Sequence, residues 1–132
     1  MALKMKDMFT LSPENEENLF NYAKYLIKQQ NFDEAKKLLQ RPFENENSNF
    51  ERLYLLSAIY EKLSNLIFAL EIASPLRRSD KPEHIAHLLK LMKKLGYYGD
   101  AENILREKRN ISSELGRFQY MQNVFNDYKI IA

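Results

Sequence analysis

The amino-acid sequence predicts an all-α fold in which helical hairpins stack side by side. The first observation is a repeat: Ala35 and Ala69 stand at equivalent points of one pattern 34 residues apart, and Ala101 continues the pattern 32 residues later. The second is that each repeat contains two runs with the three- and four-residue apolar spacing of amphipathic helices. The third is composition, because only 3 glycines and 4 prolines supply few of the turns that a β protein needs.

Composition restricts the class of protein further. The 132 residues fit one domain, and 45% hydrophobic with 29% charged residues is typical of a soluble globular chain. No apolar run approaches the roughly 20 residues that span a bilayer, and Lys4, Lys6 and Asp7 interrupt any signal peptide. The absence of cysteine fits a reducing cytosol and excludes disulfides and thiolate metal sites. We therefore expect a cytoplasmic protein.

Hydrophobic periodicity places the first hairpin after a short tail. Residues 1–11 show no strong period and are predicted to be a flexible N-terminal tail, followed by a single domain over residues 12–132. Ser12, Pro13 and Glu14 have the order of hydroxyl cap, proline and acid that begins a helix. Two apolar stripes follow, on Leu19, Tyr22, Ala23 and Leu26 and then on Phe32, Ala35, Leu38 and Leu39. The proline and polar residues of 41–49 predict a loop.

The same criteria predict two further hairpins and a terminal helix. The expected helices are Phe50 to Leu63, Leu66 to about Arg77, Pro82 to a stop at Gly96, Tyr98 to about Arg109, and one that opens at Ser112. The residues expected to face inward in the second hairpin are Leu53, Leu56, Tyr60, Leu66, Ala69, Leu70 and Ala73. Those expected to face inward in the third are Ile85, Leu88, Leu89, Met92, Tyr98, Ala101, Ile104 and Leu105.

The three segments resemble tetratricopeptide (TPR) repeats, which place apolar, small, aromatic and turn residues at fixed points of a 34-residue unit. The matching residues are Leu19, Tyr22, Ala23, Leu26, Gln30, Phe32 and Ala35; then Leu53, Leu56, Ser57, Tyr60, Ser64, Leu66 and Ala69; then Ile85, Leu88, Leu89, Met92, Gly96, Tyr98 and Ala101. Departures are the bulky Leu89 at a small-residue position, and Gln30 and Ser64 in place of the turn glycine.

The resemblance implies a TPR-like right-handed superhelix of three helical hairpins plus a C-terminal capping helix. The repeats would cover about residues 16–49, 50–81 and 82–112, and the capping helix about 113–129. Ala23 and Ser57 would lie where the two helices of a hairpin cross, because small side chains permit close approach. Ala35, Ala69 and Ala101 would serve the same purpose from the second helix.

TPR stacks bind partners in a groove lined by the first helix of each repeat, and the resemblance carries that groove onto particular residues. The partner-binding groove residues so implied are Phe20, Lys24, Ile27, Lys28, Tyr54, Ala58, Glu61, Lys62, Ala86, Lys90, Lys93 and Lys94. Phe20, Ile27 and Tyr54 are expected to lie outside the core and to anchor a helix or extended peptide. The lysines would attract an acidic segment. The alternatives are an ordinary solvated lysine face, and aromatic packing against the tail or last helix.

Catalytic and metal chemistry have no positive signal in the sequence. His84 and His87 are three residues apart, but without cysteine or further histidines we interpret them as a surface pair and expect neither a metal nor another cofactor. No phosphate-binding glycine loop or nucleophile motif is present, so we expect no enzyme. Phe20 and Lys24 stand where the chaperone-tail carboxylate clamp of some TPR proteins needs Lys and Asn, which argues against that ligand.

The function that the sequence favours is a protein-binding module that holds a helical or extended segment of a partner protein. By size and single array, the chain is also similar to the small TPR chaperones of bacterial type III secretion. A second hypothesis is a scaffold or assembly subunit that joins proteins or forms a homo-oligomer through the repeats. An RNA-binding helical repeat is a third, weakened by a net charge of only +2. No membrane insertion is expected.

Overall fold

A computed structural model describes residues 15–111, which form six α-helices and one 3₁₀ helix. The elements are α1 Glu16–Lys28, α2 Phe32–Leu38, α3 Glu46–Lys62, α4 Leu66–Ala73, the 3₁₀ helix Ser74–Arg78, α5 Pro82–Lys94 and α6 Tyr98–Ile111. No strand occurs among these residues, so the all-α prediction is confirmed. The predicted tail, residues 1–11, and the predicted capping helix, about residues 113–129, lie outside the described part of the chain.

The helices pack as three consecutive hairpins: α1 with α2, α3 with α4, and α5 with α6. Successive hairpins are joined through their first helices, since α1 contacts α3 and α3 contacts α5. The second helix of each of the first two hairpins also contacts the first helix of the next. This is the stacking by which helical repeats complete the burial that one hairpin alone cannot provide.

The same backbone turn ends the first helix of every hairpin. Gln30, Ser64 and Gly96 have φ angles of 62°, 63° and 85°, which is the left-handed region. In the first turn the N–H of Asn31 donates to the carbonyl of Leu26 at 2.8 Å, and the other two turns have the equivalent bond. This pattern is the Schellman motif, in which glycine is usual. Two of the three turns therefore hold a non-glycine residue in a conformation that costs about 1–2 kcal/mol.

The small residues predicted to lie at helix crossings are all buried. Ala23, Ala35, Ala69 and Ala101 are fully buried, as is Ser57. The Ser57 hydroxyl donates a 2.7 Å hydrogen bond to the carbonyl of Ala69, which joins α3 to α4 at their crossing. A larger side chain at any of these points would push the two helices apart.

Two predicted helix starts differ from the structure. Helix α3 begins at Glu46, inside the predicted 41–49 loop, because the Asn45 side chain accepts the N–H of Ser48 at 3.0 Å and caps the helix. Helix α1 begins at Glu16, and the Asn15 side chain accepts the N–H of Asn18 at 3.0 Å. The predicted hydroxyl cap at Ser12 lies outside the described residues and is not the cap of α1. Asparagine is as good an N-cap as serine.

The predicted continuous helix from Leu66 to about Arg77 is also wrong. The α-helix ends at Ala73 and a 3₁₀ helix, Ser74–Arg78, follows it. Pro75 has no N–H to continue the α-helical ladder, and its ring would clash with the carbonyl four residues earlier. Leu76 is fully buried and holds the 3₁₀ turn against the core.

The core has two parts that meet at α3. Leu55 and Ile59 are buried with the first hairpin, whereas Phe50 is buried with α4, α5 and α6. Leu53, Leu56 and Tyr60, which the periodicity placed inward, are only partly buried. The reason is that α3 is covered from several sides, and a single stripe cannot identify the buried face of such a helix.

Candidate protein-binding groove

The predicted groove lies where the first helices of the three hairpins run beside one another. Ion pairs connect these helices across the face: Lys24 Nζ is 3.5 Å from Glu51 Oε2, joining α1 to α3. Glu61 of α3 accepts from two lysines of α5, with Lys90 Nζ at 3.2 Å and Lys94 Nζ at 2.9 Å. Glu61 therefore joins Lys90 and Lys94, whereas Lys24 pairs separately with Glu51. That these residues line a partner-binding groove stays a prediction.

The ion pairs change the expected electrostatics of this face. Burial alone would raise the pKa of Glu51, but the hydrogen bond from His84 and the charges of Lys24, His84 and Lys81 outweigh it and lower that pKa. Burial would likewise raise the pKa of Glu61, and hydrogen bonds from Lys94 and Lys90 lower it. Both carboxyl groups are therefore ionised at neutral pH and offset the positive charge of their lysine partners.

Three groove lysines have no ion pair within 4 Å in the part of the chain that the structure describes. Lys28 and Lys62 are exposed, and Lys93 is half-buried. Each lies in the last turn of a first helix, where the negative end of the helix dipole favours a cation. The excess positive charge of the groove therefore lies along the edge next to the hairpin turns.

The three apolar groove residues do not behave alike. Phe20 is half-buried and packs edge-to-face on Phe43, with ring centroids 5.4 Å apart. Tyr54 is half-buried between the rings of His84 and His87, at 5.0 Å and 5.3 Å. Both keep part of their surface exposed.

Ile27 is the exception, and the prediction that it lies outside the core is wrong. Its exposed fraction is 8%, and it belongs to the cluster that includes Leu55 and Ile59 of α3. The cause is that Ile27, in the last turn of α1, belongs to the same buried cluster as these residues of α3. Ala58 and Ala86, the two alanines predicted to line the groove, are half-buried on their helices.

The prediction that His84 and His87 form a surface pair is wrong, because both side chains are buried. His84 has no exposed surface, and its Nε2 donates to Glu51 Oε1 at 2.9 Å. Its Nδ1 lies 2.7 Å from the hydroxyl of Ser79 at the end of the 3₁₀ helix. The sequence contains one signal for this burial: the two histidines occupy the apolar side of α5 next to Ile85 and Leu88.

His87 joins three helices through the hydroxyl of Ser57. That hydroxyl has one proton, which it gives to the carbonyl of Ala69, so His87 Nε2 must donate to Ser57 Oγ at 2.8 Å. His87 Nδ1 then carries no proton and lies 3.9 Å from Glu61 Oε1. Burial lowers the pKa of His87 to about 4, against the attraction of Glu61, so the ring is neutral at pH 7.

Ser79, His84 and Glu51 line up in the order of a serine-hydrolase triad, but the geometry gives them a structural role. Ser79 is 2% exposed, so no substrate reaches its hydroxyl. The same hydroxyl accepts the N–H of Lys81 at 3.2 Å and helps to shape the start of α5. Among residues 15–111, no group of three or more His, Asp or Glu side chains could hold a metal ion.

A cavity of about 420 Å³ opens between α1 and α3 at the N-terminal end of these helices. Phe20 is its large apolar lining residue, and the ion pair of Lys24 with Glu51 also lines it. The remaining lining residues are Glu16, Glu17, Asn21, Asn47, Ser48 and Lys81. The cavity is therefore a polar opening with one aromatic contact surface, and two of its lining residues, Phe20 and Lys24, were predicted as groove residues.

The stacked hairpins, the repeated left-handed turns and the small crossing residues define a TPR-type helical-repeat protein. Residues 2–74 match the family described as "Anaphase-promoting complex, cyclosome, subunit 3", which is a TPR-type repeat family. The match spans more than half of the chain, and the chain belongs to this family. No curated protein and no solved structure matches significantly. The predicted TPR membership is thus confirmed.

Membership of a TPR-type family suggests a protein–protein interaction module, and such families are typically non-enzymatic. None of the helices in residues 15–111 is long and apolar enough to cross a membrane. The family match gives no support to a specific link with type III secretion chaperones.

Proposed function

We propose that the chain binds a helical or extended segment of a partner protein in the groove formed by α1, α3 and α5. The observation that carries the proposal is the cavity of about 420 Å³ between α1 and α3, with Phe20 as its apolar wall. Pockets that bind proteins combine a few large aromatic contacts with a polar rim. We also propose that the protein acts in the cytoplasm.

The two half-buried aromatic side chains define where the partner would be held. Phe20 and Tyr54 each keep exposed surface on the first-helix face while their other side is packed. An apolar side chain of the partner would cover this surface, and truncating such an anchor typically weakens binding by about 1–3 kcal/mol. Lys28, Lys62 and Lys93 would attract acidic residues of the partner along the other edge.

The family description favours one second candidate, a subunit of a larger protein assembly, because it names a subunit of a complex. In that case the groove would hold another subunit permanently. A secretion chaperone remains a more specific form of the first candidate, without support of its own. RNA binding is disfavoured, because Lys90 and Lys94 are already paired with Glu61.

Affinity purification from the native cell tests the groove. The triple variant Phe20→Ala, Tyr54→Ala and Lys62→Ala should lose the partner that the wild-type chain retains in stoichiometric amount. A matched control replaces exposed residues of the same kinds elsewhere, with Ile67→Ala, Tyr97→Ala and Arg106→Ala. The control should retain the partner. A folded groove variant that retains it would contradict the proposal.

Thermal melting separates the two candidate functions. A client held transiently should raise the melting temperature of the purified chain by mass action, with the increase depending on client concentration. A self-assembling subunit should instead melt at a temperature that rises with its own concentration in the absence of any client.

A further inference from the structure

A second cavity, of about 540 Å³, lies between α2, α3 and α4. We call it the second-helix cleft, because the second helices of the first two hairpins form its walls. Its lining residues are Asp33, Lys36, Lys37, Gln40, Arg52, Leu56, Tyr60, Phe68 and Ile72. No residue of this cleft was predicted as a binding residue.

The second-helix cleft and the groove occupy opposite sides of α3. Arg52, Leu56 and Tyr60 follow one another at four-residue steps and share one face of the helix. Ala58, on the groove face, is two positions from Leu56, which is a rotation of about 200°. A ligand in the cleft would therefore leave the groove accessible.

The floor of the cleft is aromatic and aliphatic. The rings of Tyr60 and Phe68 pack with centroids 4.6 Å apart, and both side chains are half-buried. Leu56 and Ile72, also half-buried, extend this floor. Such a surface can hold a large apolar side chain of a ligand.

Arg52 is fixed at one side of the cleft. Its Nε donates to Asn49 Oδ1 at 3.0 Å and its Nη1 to the carbonyl of Leu39 at 2.9 Å. A guanidinium has five N–H donors, so about three have no partner among residues 15–111. Burial lowers the pKa of Arg52 from its ordinary value, yet a guanidinium stays charged. This is a preoriented donor group of the kind that binds carboxylates.

The cleft contains two further cations, Lys36 and Lys37, and one acid, Asp33. Lys36 Nζ lies 5.4 Å from the centre of the Tyr60 ring and 3.6 Å from Asp33. Lys37 is exposed and has no ion pair within 4 Å among the described residues. Asp33 is the one acidic residue in the lining, against three cations. The cleft is therefore positively charged around an apolar floor.

We propose that the second-helix cleft binds an acidic segment of a partner protein that contains a large apolar side chain. Carboxylates of the segment pair with Arg52 and Lys37, and the apolar side chain packs on Tyr60 and Phe68. The argument for this occupant is charge complementarity with the rim and apolar complementarity with the floor. With the groove on the opposite side of α3, the chain would then hold two different segments at once.

The test uses a fluorescein-labelled hexapeptide, Asp-Glu-Phe-Leu-Glu-Asp, and a neutral probe in which Asn and Gln replace the acids. Fluorescence anisotropy should show saturable binding of the acidic probe, and the neutral probe should bind at least about tenfold more weakly. Lys37→Glu should weaken the acidic probe about tenfold. Lys62→Glu, the same charge change on the groove face, should leave its affinity within about twofold.

Two results would overturn the proposal. One is the absence of saturable binding of the acidic probe up to millimolar concentration. The other is an equal affinity of the wild type and the Lys37→Glu variant for the acidic probe. Lys37 is exposed, so the variant should fold, and circular dichroism would verify that it does. If Lys62→Glu weakens binding of the acidic probe and Lys37→Glu does not, the probe binds in the groove. That result would overturn the proposal for the second-helix cleft and leave the proposed function of the groove standing.

Discussion

At the residue scale, polar side chains in the core fix how the hairpins meet. The Ser57 hydroxyl donates a hydrogen bond to the carbonyl of Ala69 in α4 and accepts one from His87 Nε2 in α5. The sequence predicted that Ser57 lies at a helix crossing, because its side chain is small enough for two helices to approach closely there. Its hydrogen bonds could not be predicted, since they depend on a histidine 30 residues away that the stack alone brings into contact.

The burial of His87 predicts that acid destabilises the fold. The pKa of His87 is about 4 in the folded chain and 6.5 in the unfolded chain. The stability of the fold is therefore undiminished above pH 6.5 and falls as the pH decreases from 6.5 towards 4, because the unfolded chain then binds a proton that the folded chain does not. The loss at pH 5 should be about 2 kcal/mol. Chemical denaturation at pH 7.5 and pH 5 measures it. The variant His87→Gln should have a flatter pH dependence; equal slopes for both chains would show that His87 does not carry the effect.

The left-handed turns predict opposite effects of glycine substitutions. Ser64→Gly should raise the free energy of unfolding by about 0.5–1 kcal/mol, because glycine adopts a φ of 63° without steric cost. Gly96→Ala should lower it by about 1 kcal/mol, and this cost is purely conformational, since an added Cβ meets no atom within 4 Å. Urea denaturation measures both.

Gln29→Gly is the control for these turns. Gln29 precedes the turn residue Gln30 and has a φ of −83°, where glycine gives no conformational advantage. This variant should lower stability slightly. An increase as large as that of Ser64→Gly would rule out the left-handed conformation as the cause.

At the element scale, the sequence predicted how many helices residues 15–111 contain better than where they begin and end. The alanine spacing located α2, α4 and α6 because close packing leaves little choice at a crossing. The start of α3 was missed, because the polar composition of residues 41–49 indicated a loop and concealed the cap at Asn45. The 3₁₀ helix after Ala73 was also missed, although Pro75 was its visible signal.

The cap of α3 predicts a specific loss of stability. Asn45→Ala removes the side-chain acceptor for the N–H of Ser48 and should lower the free energy of unfolding by about 1 kcal/mol. Thermal or urea denaturation measures the change. Asn47→Ala, an exposed position in the first turn of the same helix, should change stability by less than about 0.5 kcal/mol. Equal losses would mean that Asn45 is not the cap.

At the scale of the whole molecule, the stack leaves α3 two partly exposed sides with different chemistry. The side of the proposed groove has the half-buried rings of Phe20 and Tyr54 and lysines partly neutralised by glutamates. The second-helix cleft has an aromatic floor and a rim with an excess of positive charge. The family resemblance pointed to the first side. It could not point to the second, which depends on how α2 and α4 are positioned around α3.

The residues of the predicted groove show which features a family pattern can predict and which it cannot. Glu61 contacts Lys90 and Lys94 of the neighbouring first helix, and Lys24 pairs with Glu51. Ile27 is buried instead, because this chain packs α3 against the end of α1. The pattern gives each residue's position on its helix, whereas exposure depends on the distance between neighbouring helices.

Site-specific photo-crosslinking in the native cell tests the central claim, that the groove binds a partner protein, most directly. A benzoylphenylalanine placed at Phe20 or Tyr54 should crosslink to one partner protein. The same group at Ile67, which is 67% exposed and lies outside the groove, should not. Crosslinking of that partner from Ile67 but from neither groove position would contradict the claim.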